Sequence, residues 1–283
     1  MISGALLVNK EVGLTSRDEV NKVSKLFGEK KVGHIGTLDP FADGLLIMLF
    51  GRATKIVPFL EDLDKTYIAT LKLGIKTDTA DKDGQIIETK DVPLLSLDNI
   101  KSVLASFKGI QTQIPPRYSA LKVDGKRAYD LARENVDFKL QERQIEIHDI
   151  QFLSHVSKDE FIFMVRVSKG TYIRTLGEDI AVKLGTVGYL SALTRVAIGP
   201  FTLENAHKVQ DCKLQDLISA EKMLESYPTI VVEKDIAKKA LNGMRLTFNN
   251  VSDKLIVIKD QDGLIAMYEK QQQNVYCCKR GLR

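Results

Sequence analysis

The chain has 283 residues, of which 44% are hydrophobic and 28% are charged, as is typical of a globular protein. No apolar run approaches the roughly 20 residues that cross a bilayer, and the first residues lack the cleavage pattern of a secretory signal, so we expect a cytoplasmic protein of about two domains. The three cysteines and four histidines have the spacing of neither a disulfide framework nor a metal site, which indicates plain thiols and no bound metal.

The first part of the chain predicts a helix, a glycine-rich loop and a buried strand. Ser16 and Glu19 have capping-box spacing, the apolar side chains of residues 16–27 fall on one side, and Gly28 supplies a stop. After the loop, the continuous apolar run "LLIMLFG" (45–51) is typical of a buried strand.

The next segments alternate between strand and helix patterns. Residues 66–74 alternate apolar and polar like a half-buried strand, and Asp83-Gly84 marks the turn of a hairpin before "QIIET". Residues 97–107 place apolar side chains on one helical face, and Gly109 follows as a stop.

A basic segment interrupts this pattern. "TQIPPRYSALKVDGKRAYDLAREN" has five Lys/Arg among 24 residues, and its Pro115-Pro116 pair forbids a regular helix although "RAYDLAREN" looks helical. We interpret it as an ordered, basic excursion from the sheet.

Strands and a helix follow the excursion. "QIEIHDIQFL", "FIFMVRVSKG" and "ALTRVAIGPFTL" are strand-like. Between the last two, Thr175 and Glu178 again have capping-box spacing, which predicts a helix that begins there and ends at Gly185.

We place a domain boundary near "ESYPTIVVEK". Residues 1–227 predict an α+β body, whereas residues 228–283 predict a small β-rich module with one short helix, "EKDIAKKALNG". The module has ten Lys/Arg against six Asp/Glu and so carries all of the net charge of +4. This indicates a polyanionic partner, with a solvated, lysine-rich surface as the alternative.

The loop "KKVGHIGTLDPFADGLL" (30–46) is the strongest candidate site. It lacks the Lys-Ser/Thr ending of a P-loop and the third glycine of a dinucleotide motif, and its GxxG precedes no helix because Pro40 disfavours helical geometry at Asp39. What remains is a carboxylate on a stiff turn, which glycines allow to approach a bulky group. Two interpretations stay open: Asp39 accepts hydrogen bonds from its own turn, or it is the reactive group of an enzyme.

Two other residues are candidates with equally open roles. Tyr67 begins a strand, where an aromatic ring either packs in the core or offers a face to a base. Arg174 follows an apolar strand, where it forms a surface ion pair or orders a reactive carboxylate.

Four segments occur in the order and approximate spacing of one protein family. They are "GHIGTLDPFADGLL", "DKTYIATLKLGIKTDTADKDG", "FKGIQTQIPPRYSALKVDGKRAYDLAREN" and "VSKGTYIRTLGEDIAVKLG". Together they make roughly residues 3–205 resemble the TruB-type tRNA pseudouridine-55 synthases, and "ALNGMRL" is similar to the PUA-type RNA-binding module of that family.

The resemblance implies a pseudouridine synthase fold and its activity. The fold would be a central, mostly antiparallel mixed sheet flanked by helices, with a basic thumb insertion at about 109–145. The implied enzyme is stand-alone and monomeric, and isomerises uridine 55 in the TΨC arm of tRNA to pseudouridine without metal, organic cofactor, membrane or obligatory protein partner.

The resemblance also implies roles for the residues that match the family's motifs. Asp39 would be the catalytic carboxylate, Tyr67 would stack on the target base, Arg174 would pair with Asp39, Tyr172 and Leu193 would line the uracil pocket, and His34 would fill the space that the extracted nucleotide leaves.

The chain departs from the family pattern at three places. Glu11 stands where a proline is usual, Thr194-Arg195 leaves one arginine of a common pair, and Asn135 replaces a glycine. These departures bear on RNA affinity and loop shape. Two alternatives remain: a binding-only protein that remodels tRNA, and a relative that depends on a guide RNA.

Overall fold

Two β-sheets with flanking helices organise the protein in the computed structural model, which describes residues 2–134 and 136–283. The predicted departure at Asn135 lies outside the described residues. In the first 227 residues the strands are β1 (Gly4–Lys10), β2 (Val32–Ile35), β3 (Asp43–Phe50), β4 (Lys65–Leu73), β5 (Ile75–Thr77), β6 (Ile86–Thr89), β7 (Gly109–Gln113), β8 (Lys122–Val123), β9 (Lys126–Arg127), β10 (Arg143–Ser157), β11 (Glu160–Val167), β12 (Gly188–Ile198) and β13 (Phe201–Thr202).

The helices of this part flank the larger sheet. They are α1 (Ser16–Phe27), α2 (Val57–Leu60), α3 (Leu97–Ala105), α4 (Ala128–Arg133), α5 (Ile173–Lys183) and α6 (Ala220–Met223), with short 3₁₀ turns at Gly51–Ile56, Leu203–Asn205, Val209–Asp211 and Leu214–Asp216.

Within the described residues the larger sheet has nine strands in the order β1-β3-β12-β4-β11-β10-β7, with β2 beside β3 and β13 beside β12. Its pairs are antiparallel except for β3 and β12, which run parallel where Thr194 faces Asp43 and Arg195 faces Gly44. The predicted mostly antiparallel mixed sheet is therefore confirmed. The parallel pair matters for the site, because it brings β12 against the chain just after the Asp39 loop.

Burial explains why the strand patterns differ. Strand β3 is buried along almost its whole length, since α1 covers one face and α2 with part of the C-terminal sheet covers the other. The sequence of β3 is therefore a nearly continuous run of apolar residues. Strand β4 alternates buried and half-buried residues, with its buried face under α3 and α5. Each fully buried Leu or Ile of these clusters contributes about 1.5–3 kcal/mol.

Most predicted elements are confirmed, and α1 spans the predicted residues 16–27, but the capping box of α1 and the start of α5 differ from the prediction. The N-cap of α1 is Thr15, which forms a reciprocal capping box with Asp18. Ser16 is free for another partner as a result. The N-cap of α5 is Tyr172, so Thr175, predicted to open this helix, lies inside its first turn.

The basic excursion leaves the sheet between two of its strands. Strands β7 and β10 pair from Gln113 with Arg143 to Gly109 with Ile147. Between them lie the β8–β9 hairpin and α4, whose lysines and arginines are exposed.

The C-terminal residues form a second sheet with one helix. Its strands are β14 (Thr229–Val231), β15 (Leu246–Thr247), β16 (Leu255–Asp260), β17 (Gly263–Gln272) and β18 (Val275–Gly281), and its helix is α7 (Lys234–Leu241). Val257, Met267 and Leu282 enter the same buried cluster as Leu7 and Leu49, so this sheet packs firmly on the body. None of the helices described is both long and apolar enough to cross a membrane.

Candidate active site

The Asp39 loop joins β2 to β3 and is anchored through its backbone. The Ser16 hydroxyl accepts from Leu38 N at 2.9 Å and donates to Leu38 O at 3.2 Å, and Gly13 N donates to Pro40 O at 2.8 Å. Leu38 and Phe41 are buried on either side. The backbone is thus fixed while the Asp39 side chain keeps 37% of its surface exposed.

The Asp39 carboxylate faces Arg174, which lies 135 positions along the chain. Arg174 Nε is 2.8 Å from Asp39 Oδ2, and Nη2 donates to Asp39 Oδ1 at 3.3 Å. Within the described part of the chain, no hydrogen bond to this carboxylate comes from its own turn. The structure therefore argues against the interpretation in which Asp39 serves its own turn, and shows an open carboxylate paired with a guanidinium.

Arg174 is itself held on every side. Its side chain is 4% exposed, and its remaining donors reach Thr79 O at 2.9 Å and Tyr118 O at 2.8 Å. Arg174 is the second residue of α5. This helix begins before Thr175, the predicted start, and its first turn therefore decides where the guanidinium lies. The guanidinium has little freedom to leave Asp39.

A second carboxylate, Asp81, completes this charge cluster. Asp81 Oδ2 lies 3.5 Å from Arg174 Nη1, and its other oxygen accepts from Thr79 Oγ1 at 2.6 Å and from Asp83 N at 3.1 Å. Burial raises the pKa of Asp81, although Thr79 and Arg174 oppose that shift. Sequence reasoning missed Asp81. The preceding Ala80 has a φ of 60°, a strained value for a residue with a side chain, but φ is not visible in a sequence.

Arg195, the arginine kept in Thr194-Arg195, supports the loop from beneath. It is 1% exposed, and it donates from Nε to Leu45 O and from Nη2 to Gly36 O, both at 2.8 Å. These bonds tie β12 to both ends of the Asp39 loop. The sequence did not predict that Arg195 would anchor this loop.

Gly44 allows this close approach, and its replacement should be costly. A Cβ at Gly44 would lie 2.4 Å from Arg195 O, and the residue has a φ of 101°. We expect Gly44→Ala to lower the free energy of unfolding by about 3 kcal/mol or more, because backbone strain and a backbone clash add. Urea unfolding of wild type and variant measures this loss.

Gly109→Ala is the matched control, since Gly109 has the same φ of 101° but no neighbour within 4 Å of its added Cβ. The Gly109 variant has the same backbone strain without the clash, so its free energy of unfolding should fall by only about 1 kcal/mol. Equal losses in the two variants would show that the approach of β12 is not what requires Gly44.

The other predicted site residues surround Asp39 to different degrees. Tyr67 and Leu193 belong to the same buried cluster as Leu38 and are 9% and 6% exposed. Tyr67 therefore packs in the core, and the edge it shows to the surface is small. His34 lies on β2 with Nε2 3.2 Å from Thr37 Oγ1. Burial and the nearby Arg195 and Arg17 lower the pKa of His34, which favours its neutral form.

Tyr172 lies next to the cluster at the start of α5. The Arg143 guanidinium is 5.6 Å from the centre of its ring, and burial raises the pKa of its phenol. The structure thus brings Asp39, Arg174 and Tyr172 into one neighbourhood. The arrangement offers a carboxylate that is oriented by a guanidinium and can reach a ligand.

Comparison with known proteins agrees with the resemblance seen in the sequence. Residues 24–173 match the model of the TruB family pseudouridylate synthase, N-terminal domain. The chain is 40% identical to the tRNA pseudouridine synthase B of Bacillus licheniformis, with 95% of this chain and 93% of that protein covered, and 43% identical to that of Francisella philomiragia, with 83% and 78% covered.

A solved structure supports the fold. The protein matches a chain in the crystal structure of a Cbf5-Nop10-Gar1 complex with a TM-score of 0.76 at 23% identity, covering 99% of this chain and 85% of that one. The predicted pseudouridine synthase fold with a PUA-like C-terminal module is confirmed. By its match to the family model and by its bacterial relatives, the chain belongs to the TruB family of pseudouridylate synthases.

Proposed function

We propose that this protein isomerises uridine 55 in the TΨC arm of tRNA to pseudouridine, with Asp39 as its catalytic carboxylate. The observation that carries this proposal is the Asp39 side chain, 37% exposed and paired with a nearly buried Arg174 at 2.8 Å. The name shared by the bacterial relatives supports the tRNA substrate.

The chemistry requires a group of this kind. The bond from ribose C1′ to uracil N1 breaks, the base turns, C1′ joins C5, C5 loses a proton and N1 gains one. A carboxylate can add covalently and divide this into easier steps. Attack at C1′, attack at C6 and release through a glycal all need Asp39 within reach of the nucleotide. Arg174 would hold it in place for each route.

The target nucleotide must leave its stack to reach Asp39. Flipping costs a few kcal/mol, and stacking on an aromatic side chain returns about 1–3 kcal/mol per base. Tyr67 would supply that ring once the side chains packed against it make room for the base, with Tyr172 and Leu193 as walls of the uracil pocket. His34 would occupy the gap in the arm, and the Tyr67 phenol is our candidate to accept the C5 proton.

Exposed lysines and arginines occur in three parts of the chain that could contact RNA. Lys30 and Lys31 precede the Asp39 loop, and the excursion and the C-terminal sheet add others, among them Lys122, Lys126, Arg127, Arg133, Lys238, Lys239 and Arg245. Contacts from these side chains to phosphates would make affinity fall as salt rises. We propose that the excursion closes over the arm as a thumb, and that a monomer in the cytoplasm acts without a protein partner.

A bare tRNA transcript and the purified chain test this function. We expect pseudouridine at position 55, detected by chromatography and mass spectrometry of the digested RNA, and none in a transcript with cytidine there. Binding without any product would favour the tRNA-remodelling alternative. Product that forms only after a guide RNA is added would favour the guide-dependent one.

A further inference from the structure

The side-chain amide of Gln113 forms two hydrogen bonds with the backbone of Tyr172, which lies 59 residues further along the chain. Tyr172 N donates to Gln113 Oε1 at 2.8 Å, and Gln113 Nε2 donates to Tyr172 O at 3.0 Å. Gln113 is 3% exposed and is the last residue of β7. Because one group must accept and the other must donate, only one orientation of the amide satisfies both bonds.

One of these two bonds, from Tyr172 N to Gln113 Oε1, replaces half of a capping box that α5 lacks. Its N-cap, Tyr172, makes no side-chain capping bond, and the hydroxyl of Thr175, the third helical residue, is buried without a partner among the described residues. In a capping box the third residue would return a bond to the N-cap N–H. In this protein Gln113, on strand β7, accepts the bond from the N-cap N–H instead.

The same segment holds Arg174 as well. Tyr118 O, five residues after Gln113, accepts from Arg174 Nη2 at 2.8 Å. Arg143, which pairs with Gln113 across the β7–β10 ladder, places its guanidinium 5.6 Å from the Tyr172 ring. The base of the excursion is therefore bonded to the start of α5 at several points.

We propose that Gln113 is a positioning residue for the isomerisation: it fixes Tyr172, and through the first turn of α5 it sets Arg174 against Asp39. This inference rests on the proposed function. The hydrogen bonds of the Gln113 side chain go to the Tyr172 backbone and not to Asp39 or Arg174, so its effect on the reaction would be indirect. Since a misplacement of about 1 Å can cost about 100-fold in rate, loss of these two bonds should be felt in the chemical step.

The test compares Gln113→Met and Gln113→Glu with wild type under single-turnover conditions. Methionine keeps the length of the side chain and removes both bonds, whereas glutamate keeps the acceptor for Tyr172 N and loses the donor. We expect the rate constant at saturating tRNA to fall by about 10- to 100-fold in both variants, with the tRNA Kd within about twofold of wild type. A merely structural defect would lower the reacting fraction and leave the rate constant unchanged.

Gln111→Met is the matched control. Gln111 lies on the same strand and donates to Phe107 O at 3.1 Å; Phe107 lies near Lys183, at the end of α5 opposite to Tyr172 and Arg174. It should react at the wild-type rate. Wild-type rate constants in both Gln113 variants would overturn the positioning role and leave the proposed function standing, while an inactive wild-type chain would overturn the function itself.

Amide hydrogen exchange gives a readout that does not need activity. The Tyr172 N–H should exchange about tenfold faster in Gln113→Met than in wild type or Gln111→Met, since it loses its acceptor. Unchanged protection at Tyr172 would show that Gln113 does not fix this backbone.

Discussion

Asp39→Asn should abolish the release of tritium from C5-labelled uridine in tRNA while tRNA binding is retained. Asparagine has nearly the same size and still offers an oxygen to Arg174, but its neutral amide cannot act as the nucleophile or the anion that the proposed routes need. Loss of such a group typically lowers the rate at least about 10⁴-fold. Affinity should change little, because the proposed phosphate contacts elsewhere on the surface would supply most of it.

Asp91→Asn removes a carboxylate of the same kind from an exposed position after β6, and should leave both rate and binding unchanged. Tritium release and filter binding on the three proteins separate chemistry from affinity. Substantial turnover by the Asp39 variant would refute the assigned role.

The elements that the sequence predicts well are those whose pattern is local. The alternation of β4 and the apolar run of β3 record which faces are covered, and burial on one face or on both follows directly from them. The β5–β6 hairpin was predicted from Asp83-Gly84, a local turn signal, and these two residues lie in the connection that spans residues 78–85.

The parts that were missed depend on partners distant in sequence. The start of α5 was predicted from Thr175, since nothing within the helix marks Tyr172 as its N-cap, and the bond that serves this end comes from Gln113. Asp81 and Arg195 look like ordinary surface charges in the sequence. Their burial follows from the pairing of β12 with β3 and from the turn before β6, which no local pattern reports.

The Asp39 loop lies between these cases. Its glycines and proline predict a stiff turn with a carboxylate, and the structure has one. The sequence left open whether this carboxylate serves its own turn, because the answer depends on Arg174, 135 residues away. The family resemblance predicted that Arg174 pairs with Asp39, and in the structure the two side chains lie 2.8 Å apart.

Arg174→Lys should lower the single-turnover rate constant by about 10²- to 10³-fold with the tRNA Kd little changed. The guanidinium binds both oxygens of Asp39 and reaches Thr79 O and Tyr118 O at the same time, from a side chain that is 4% exposed. A lysine ammonium is a single point and cannot span these acceptors, so Asp39 would lose its fixed orientation although the positive charge stays.

Lysine is a better probe here than alanine because of Asp81. The Asp81 side chain is 8% exposed and lies 3.5 Å from the guanidinium, so an alanine at position 174 would leave a buried carboxylate without its partner and cost about 3–5 kcal/mol of stability. A rate measured on such a variant would mix unfolding with chemistry. Lysine keeps a cation near Asp81 and confines the change to the geometry around Asp39.

Arg166→Lys is the control for this exchange of side chains. Arg166 is 53% exposed on β11 and pairs with Asp64 at 3.6 Å on the surface, where such a pair contributes at most about 1 kcal/mol. It should react at the wild-type rate. If the Arg174 variant also kept that rate, a point charge beside Asp39 would suffice, and the planar fork of the guanidinium would have no part in aiming the carboxylate.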